Sequence, residues 1–407
     1  VVTACRTPKG SEAARIQPAH TGCLCASQLP PMSTSSSSSS SSASTAAATA
    51  SSAPSAVASS VSAGSSSSAP APSAPPLGAL HSRLHFVDFA DVGSHSLLGS
   101  DGGFKIVSYG HPMDTLVSGG DGLVHRLALL GDSSLLVFVG GSQSESNSVC
   151  NLTVYNCADR EVICTISFSN TILNVRVNSS RLVVVLESKV HVFDLPSMKL
   201  IRTLSTSPNP RGLCALSQNM DNPVLLLPSD GNVHVHDALN LSDRPVVVKA
   251  HNSPLAALAL STDGGLLATC SEKGTVIRVF ALPDWENVKS FRRGSFVTNI
   301  HDLRFSPDGS FLALTSEKGT GHIFKLTLKP GSGGFFNKVT SALSSVYENE
   351  RSFATFKLPQ EGPFSACCIT QDNRHVYVAS LSGSLSVYSL DTSRGGDCRL
   401  EDEQPLL

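Results

Sequence analysis

The chain has 407 residues, with 30 Lys and Arg against 32 Asp and Glu, a formal net charge of −2 and 41% hydrophobic residues. This balance argues against nucleic acid as a main partner, because a phosphate backbone is held by a broad basic surface, and leaves room only for a local basic cluster. No apolar run reaches the roughly 18 residues that a membrane span requires, so membrane contact would be peripheral.

Residues 1–76 stand apart in composition. Ser35 to Ser42 is an unbroken serine run, followed by Ala, Ser, Thr and Pro with hardly a bulky apolar residue. Such a segment buries too little surface to offset its chain entropy, and a disordered tail is expected over 1–76. Val1 is no initiator; translation starting at Met32 is one reading, because Val1–Pro31 differs in composition from the serine-rich stretch after it. An apolar stretch typical of a signal peptide is missing, and arginines are too few for a transit peptide.

From Leu77 onward short apolar runs alternate with Gly, Asp, Asn, Ser and Pro. Leu182–Leu186, Val190–Phe193, Val224–Leu227 and Val233–His236 are examples, rich in β-branched residues. This predicts many short antiparallel strands, hence a sandwich, barrel or propeller. Eleven cysteines are present without paired CxxC spacing. Cys150, Cys157 and Cys164 recur every seventh residue, but on strands they would fall on different faces or in different strands. They read as buried thiols of a reducing compartment, with zinc the weaker alternative.

An internal repeat decides among the β architectures. Ser271-Glu272-Lys273-Gly274-Thr275 recurs 45 residues on as Ser316-Glu317-Lys318-Gly319-Thr320. Upstream, Ser261-Thr262-Asp263-Gly264 matches Ser306-Pro307-Asp308-Gly309, and downstream Val279-Phe280 matches Ile323-Phe324. A period of about 40–45 residues with strand–turn–strand content marks a four-stranded propeller blade. Weaker copies end in Val192-Phe193-Asp194, Val235-His236-Asp237 and Val387-Tyr388-Ser389. The predicted fold over 77–407 is therefore an all-β, seven-bladed propeller. The Trp-Asp dipeptide of ordinary WD repeats is absent; Trp285 follows Asp284.

Between the two best repeats stands Phe291-Arg292-Arg293-Gly294, expected on an outer strand. Neighbouring side chains on a strand point to opposite faces, so two adjacent arginines serve two pockets and not one. Each guanidinium is a planar fork suited to phosphate. The earlier blade offers His251, Thr269, Ser271, Lys273, Thr275 and Arg278, with Gly274 expected to free backbone N–H groups for an anion. The later blade offers Ser316, Lys318, Gly319, Thr320 and His322. Hydroxyls, amides and cations at a turn are what phosphate oxygens require. A single Ser-Glu-Lys-Gly-Thr is simply a good turn, and either histidine alone could be structural; two copies flanking an arginine pair favour binding.

These residues resemble the PROPPIN family, WIPI-type proteins that include autophagy-related protein 18. Phe291–Gly294 looks like the family's signature motif. The likeness continues in Ser169–Leu173, Asn209–Leu216, Ala250–Leu258, Ser271–Phe280 and His322–Leu326, and covers roughly 77–407. The resemblance implies two phosphoinositide sites, for phosphatidylinositol 3-phosphate and the 3,5-bisphosphate, and a monomer in solution with autophagy-related protein partners. It implies recruitment from the cytoplasm to preautophagosomal, endosomal or vacuolar membranes. By position, one site joins Arg292 to His251, Thr269, Ser271, Gly274, Thr275 and Arg278. The other joins Arg293 and Gly294 to Ser316, Thr320 and His322. Two departures touch the second site: the turn Glu317-Lys318-Gly319 is more basic than in the relatives, and the segment from Gly294 to Phe305 is one residue shorter.

After Leu326 a long segment precedes the strand-like Phe353–Leu358. Within it Phe335, Val339, Leu343 and Tyr347 are spaced four apart, with Phe336 and Val346 alongside, as on one face of a helix. A solvated loop is the bland reading; a loop that orders on a bilayer is the functional one, as the resemblance implies. The alternatives to lipid recognition are a propeller that binds only proteins and an enzyme. For a cysteine phosphatase the Cys-x5-Arg loop is missing, since seven residues separate Cys270 from Arg278. Neither a P-loop nor a metal cluster stands out, and no catalysis, metal or cofactor is expected.

Overall fold

The computed structural model describes residues 83–90, 95–108, 114–120, 122–131, 133–140, 148–326 and 350–407. The expected tail over 1–76 and the apolar segment Phe335–Tyr347 lie outside these residues. The described residues form seven antiparallel sheets, each built on four strands. In chain order the blades, numbered 1 to 7, are 84–119, 124–167, 174–205, 215–249, 255–292, 300–357 and 365–405. The innermost strand of each blade packs on that of the next, and Ser365–Ile369 of blade 7 closes on Leu84–Phe89 of blade 1. The fold is a seven-bladed β-propeller.

Burial across a blade explains the sequence pattern. Second strands are covered on both faces and read as unbroken apolar runs, as in Arg181–Val185 and Val224–Ser229. Third strands alternate, as in Asn232–Asp237. Outer strands such as Lys199–Ser205 are mostly exposed and polar. Each interface between neighbouring blades holds its own apolar cluster; between blades 5 and 6 it contains Ile277, Phe291, Leu303, Leu312 and Phe324. Among the described residues no strand is shared between blades 1 and 7, and side chains close the ring there, among them Leu84, Val87, Ala366, Cys368 and Leu406.

The repeat seen in the sequence is a repeat of hydrogen bonds. Ser261 Oγ donates to Asp263 Oδ1 at 2.5 Å and accepts from Leu266 N at 2.8 Å, with Gly264 at φ +74°. Ser306 does the same with Asp308 at 2.6 Å and Phe311 N at 2.9 Å, with Gly309 at φ +71°. Thr370 and Asp372 rebuild the turn in blade 7, where Asn373 takes the left-handed position. A hydroxyl two residues ahead of a carboxylate thus clamps the turn between first and second strands. Cys150, Cys157 and Cys164 fall in a short helical turn, a loop and the outer strand of blade 2, and among the described residues no group of His, Cys, Asp and Glu could hold a metal.

Two short strands cover exposed edges. Glu350–Arg351 adds to blade 5 parallel to its outer strand Glu286–Arg292, and Gly396–Asp397 adds to blade 6 beside Ala354–Lys357.

Candidate functional site

Strand pairing sorts the side chains of blade 5 onto two faces. In register, Thr269 pairs with Arg278, Arg278 with Ser290, and Val276 with Arg292. Paired residues, and alternate residues along a strand, share a face. Thr269, Ser271, Arg278, Ser290 and Arg292 therefore lie on one face. His251, from the segment leading into blade 5, joins them, its Nε2 3.1 Å from Thr269 Oγ1.

Phe291 takes the opposite face, its ring 4.8 Å from that of Phe324 in blade 6. Arg293 lies just past the strand end rather than on it, yet its N–H donates to Thr275 O at 2.9 Å and prolongs the ladder. On blade 6 Ser316 pairs with Thr320, and His322 and Phe324 follow at alternate positions. The His322 ring stacks over Phe324, centroids 6.3 Å apart. Ser316, Thr320 and His322 thus face blade 5 on the Arg293 side. Register thus sets His251, Thr269, Ser271 and Arg278 on the Arg292 side and Ser316, Thr320 and His322 on the Arg293 side, while Gly274 and Thr275, expected with Arg292, give their carbonyls to Arg293.

The two arginines differ in what their donors do. Arg293 donates through Nε to Gly274 O at 2.5 Å and through Nη2 to Phe296 O. It is half-buried, and its guanidinium ties the turn between the second and third strands of blade 5 to the connection into blade 6. Arg292 is exposed, and its side chain makes no hydrogen bond or ion pair among the described residues. Arg278 is intermediate, with Nη1 donating to Ala250 O.

Burial, with Arg278 close by, depresses the His251 imidazole to about 4, while its bond to Thr269 works weakly against this. Burial and the adjacent Arg293 likewise lower His322 to about 4. Both rings are neutral at neutral pH, so each can donate from one nitrogen and accept at the other. His322 uses Nδ1 toward Ser352 Oγ at 3.0 Å. An anion seated against either ring would favour its protonated form.

One expectation needs correction. Gly274 does not free its amide for an anion: the N–H donates to Ser271 O at 2.8 Å within the turn. Its φ of +63° and the Thr298 carbonyl, 2.2 Å from where a Cβ would sit, are what require glycine. Gly319 is spent in the same way, its N–H on Ser316 O at 3.1 Å. Thr269 and Ser316 are fully buried, with Ser316 Oγ donating to Thr320 O at 3.0 Å. Both hydroxyls are bonded within the protein.

The sequence reading missed Arg351. Parallel pairing puts Phe291 beside Glu350 and Arg292 beside Arg351, so two exposed arginines stand side by side on one face. Lys289 Nζ donates to Glu350 Oε1 at 2.7 Å, which pins this register. The local signal, a charged dipeptide ahead of Phe353, does not reveal a partner strand some sixty residues earlier.

A profile of the PROPPIN family matches residues 99–407. The chain is 37% identical over 361 residues to autophagy-related protein 18 of Dictyostelium discoideum, covering 81% of this chain and 95% of that one. It is 42% identical over 267 residues to WD repeat domain phosphoinositide-interacting protein 2 of Mus musculus, covering 60% of each. Among solved structures, the complex of KlAtg21 with the coiled coil of AgAtg16 superposes with a TM-score of 0.66 at 26% identity, covering 80% of this chain and 100% of that one. Kluyveromyces lactis Hsv2 superposes with a TM-score of 0.67 at 22% identity and the same coverage, a likeness of fold. A seven-bladed ring, an Arg-Arg pair divided between two blade faces and a profile match over three quarters of its length place this chain in the PROPPIN family.

Proposed function

We propose that the protein is a peripheral membrane effector that recognises phosphatidylinositol 3-phosphate and phosphatidylinositol 3,5-bisphosphate and acts as a scaffold, without catalysis, in autophagy-related membrane formation or endosomal and vacuolar trafficking. The observation that carries this is the division of Arg292 and Arg293 between two faces, each supplied with hydroxyls and a neutral imidazole. Arg292 in particular presents a guanidinium whose donors are unspent among the described residues. A planar fork with free N–H groups is matched by a phosphate monoester, whose oxygens accept several charge-assisted hydrogen bonds. His251, Thr269, Ser271, Gly274, Thr275 and Arg278 complete the Arg292 site, and Gly294, Ser316, Thr320 and His322 the Arg293 site. The name of the mouse relative, a phosphoinositide-interacting protein, supports the same ligand class.

Two weak headgroup sites on one rigid body raise each other's effective concentration at a membrane. The apolar segment Phe335–Tyr347 would add burial in the bilayer, worth about 1.5–3 kcal/mol for each phenylalanine fully buried. The partner in the KlAtg21 structure is a coiled coil; a helical protein of that kind is the effector we propose for the propeller, with recruitment from the cytoplasm to preautophagosomal, endosomal or vacuolar membranes.

The test is flotation with vesicles that carry or lack phosphatidylinositol 3-phosphate. Wild type should float only with the phosphorylated lipid. The double change Arg292→Ala, Arg293→Ala should lose at least about a hundredfold in affinity, since hydrogen bonds to charged groups contribute about 1.5–3 kcal/mol each. Equal flotation of a variant that unfolds like wild type would mean that the two arginines do not hold the lipid, and failure of wild type to float would leave only a protein-binding propeller.

A further inference from the structure

Beside the basic pair the chain carries an apolar tip that the headgroup sites do not use. Phe296 and Val297 are 76% and 65% exposed, the two highest values among the large hydrophobic residues described. Most other exposed ones sit on outer strands: Val162 and Ile163, Leu200 and Ile201, Val246 and Val247, Leu400. There a β-branched or leucine side chain fits an ordinary sheet edge. Phe296 and Val297 sit in a loop, where strand preference offers no reason for them.

The loop is held from below. Arg293 Nη2 donates to the Phe296 carbonyl while its Nε bonds Gly274 O. Thr298, next in the chain, is buried, and its carbonyl rests on Gly274 so closely that no side chain fits between. Asn299 Nδ2 donates to Glu317 Oε2 at 2.9 Å, and Glu317 N to Asn299 O at 3.0 Å. A mobile loop could fold its phenylalanine back over the surface; this one presents it outward on a fixed stem.

What surrounds the tip is basic. Lys318 Nζ lies 5.2 Å from the centre of the Phe296 ring. Arg293 forms the stem, exposed Lys273 precedes the glycine beneath Thr298, and Arg292 with Arg351 ends the adjoining strands. Of the carboxylates in the two turns, Glu317 is engaged by Asn299 and Glu272 points to solvent. An exposed aromatic and aliphatic pair within a collar of cations is complementary to an anionic bilayer: the cations meet phosphates while the tip enters the acyl boundary.

We infer that Phe296 and Val297 form a membrane wedge, held in place by Arg293, that enters an anionic bilayer when the headgroup sites engage. The inference rests on the lipid-binding reading and deepens it. Arg293 then has two tasks, phosphate recognition and support of the wedge.

The experiment uses the full chain with vesicles of phosphatidylcholine and phosphatidylserine containing phosphatidylinositol 3-phosphate, with and without brominated acyl chains. In Phe296→Trp the new indole should shift to shorter wavelength on vesicle binding and be quenched by brominated lipid. Wild type, whose Trp285 is buried, should show neither change. In Phe296→Ser/Val297→Ser, vesicle dissociation should quicken about tenfold or more, with thermal unfolding and affinity for soluble short-chain phosphatidylinositol 3-phosphate unchanged. An indole at position 296 that stays water-exposed on bound vesicles, or unchanged dissociation of the serine variant, overturns the wedge while leaving the headgroup sites standing. Equal loss of soluble-lipid affinity also overturns it, by making the tip part of a pocket. If wild type binds neither vesicle nor soluble lipid, the lipid-binding reading fails first and the wedge with it.

Discussion

Arginines at the ring's axis and arginines at the junction of blades 5 and 6 behave differently, though neither composition nor local sequence separates them. Near the axis, Arg304 of blade 6 donates to Asp88 and, at 2.9 Å, to Phe89 O of blade 1, while Arg176 of blade 3 reaches the other Asp88 oxygen at 3.6 Å. Burial would push the Asp88 carboxyl up, but the two guanidinium groups hold it below its ordinary range. Arg126 is spent on the carbonyls of Leu173 and His125. At the junction, Arg292 and Arg351 stand in register and exposed, without a carboxylate partner among the described residues. Guanidinium groups that bind the protein itself are thus told from those available to a ligand by how many donors are already used. Arg293 belongs to both sets.

Removing an axial arginine should cost stability and not affinity. Arg304→Met leaves Asp88 with the weaker contact to Arg176 and without the charge that spans blades 6 and 1. Breaking a buried pair from one side costs about 3–5 kcal/mol, read as a lower urea midpoint. Soluble-lipid affinity, measured well below that midpoint, should be unchanged. A shift under about 1 kcal/mol would show the axial network to be surface-like.

Arg351→Ala should do the reverse. A cation near an anionic membrane surface contributes about 1 kcal/mol, so vesicle affinity should fall about fivefold with the urea midpoint unmoved. The loss should shrink at high salt, because exposed charges are screened. An unchanged affinity at low salt would mean that Arg351 faces no ligand.

A further effect is in pH. His251, His322 and His236 are all held to about 4 in the folded chain, chiefly by burial, against 6.5 for a free imidazole. Between these values the unfolded state binds more protons, so stability rises with pH and is lost as pH falls from about 6.5 through about 4. Melting temperatures across that window should decline, and His251→Gln/His322→Gln should flatten the decline. The same slope in the double variant would place the buried, neutral rings elsewhere.

Much of this was legible in the sequence because it is local. The Ser-x-Asp-Gly turns and the 45-residue repeat give a blade by themselves, and period-two alternation alone assigns Arg292 and Arg293 to different faces. What escaped is non-local or concerns occupancy. The Glu350–Arg351 strand pairs with residues far back in the chain, and the Asp88–Arg304 contact spans most of the propeller. Glycine at 274 was read for its amide, whereas the close approach of the Thr298 carbonyl explains it. Phe296 and Val297 look like any short apolar pair until their exposure and the bonds beneath them are known.

The central claim is that Arg292 and Arg293 serve separate sites on opposite faces of one strand, and calorimetric titration with soluble short-chain phosphatidylinositol 3-phosphate tests it most directly. Wild type is expected to bind two equivalents, and Arg292→Ala one, with an unchanged melting temperature. Two equivalents retained by Arg292→Ala, or both sites lost together in a variant that stays folded, would contradict it.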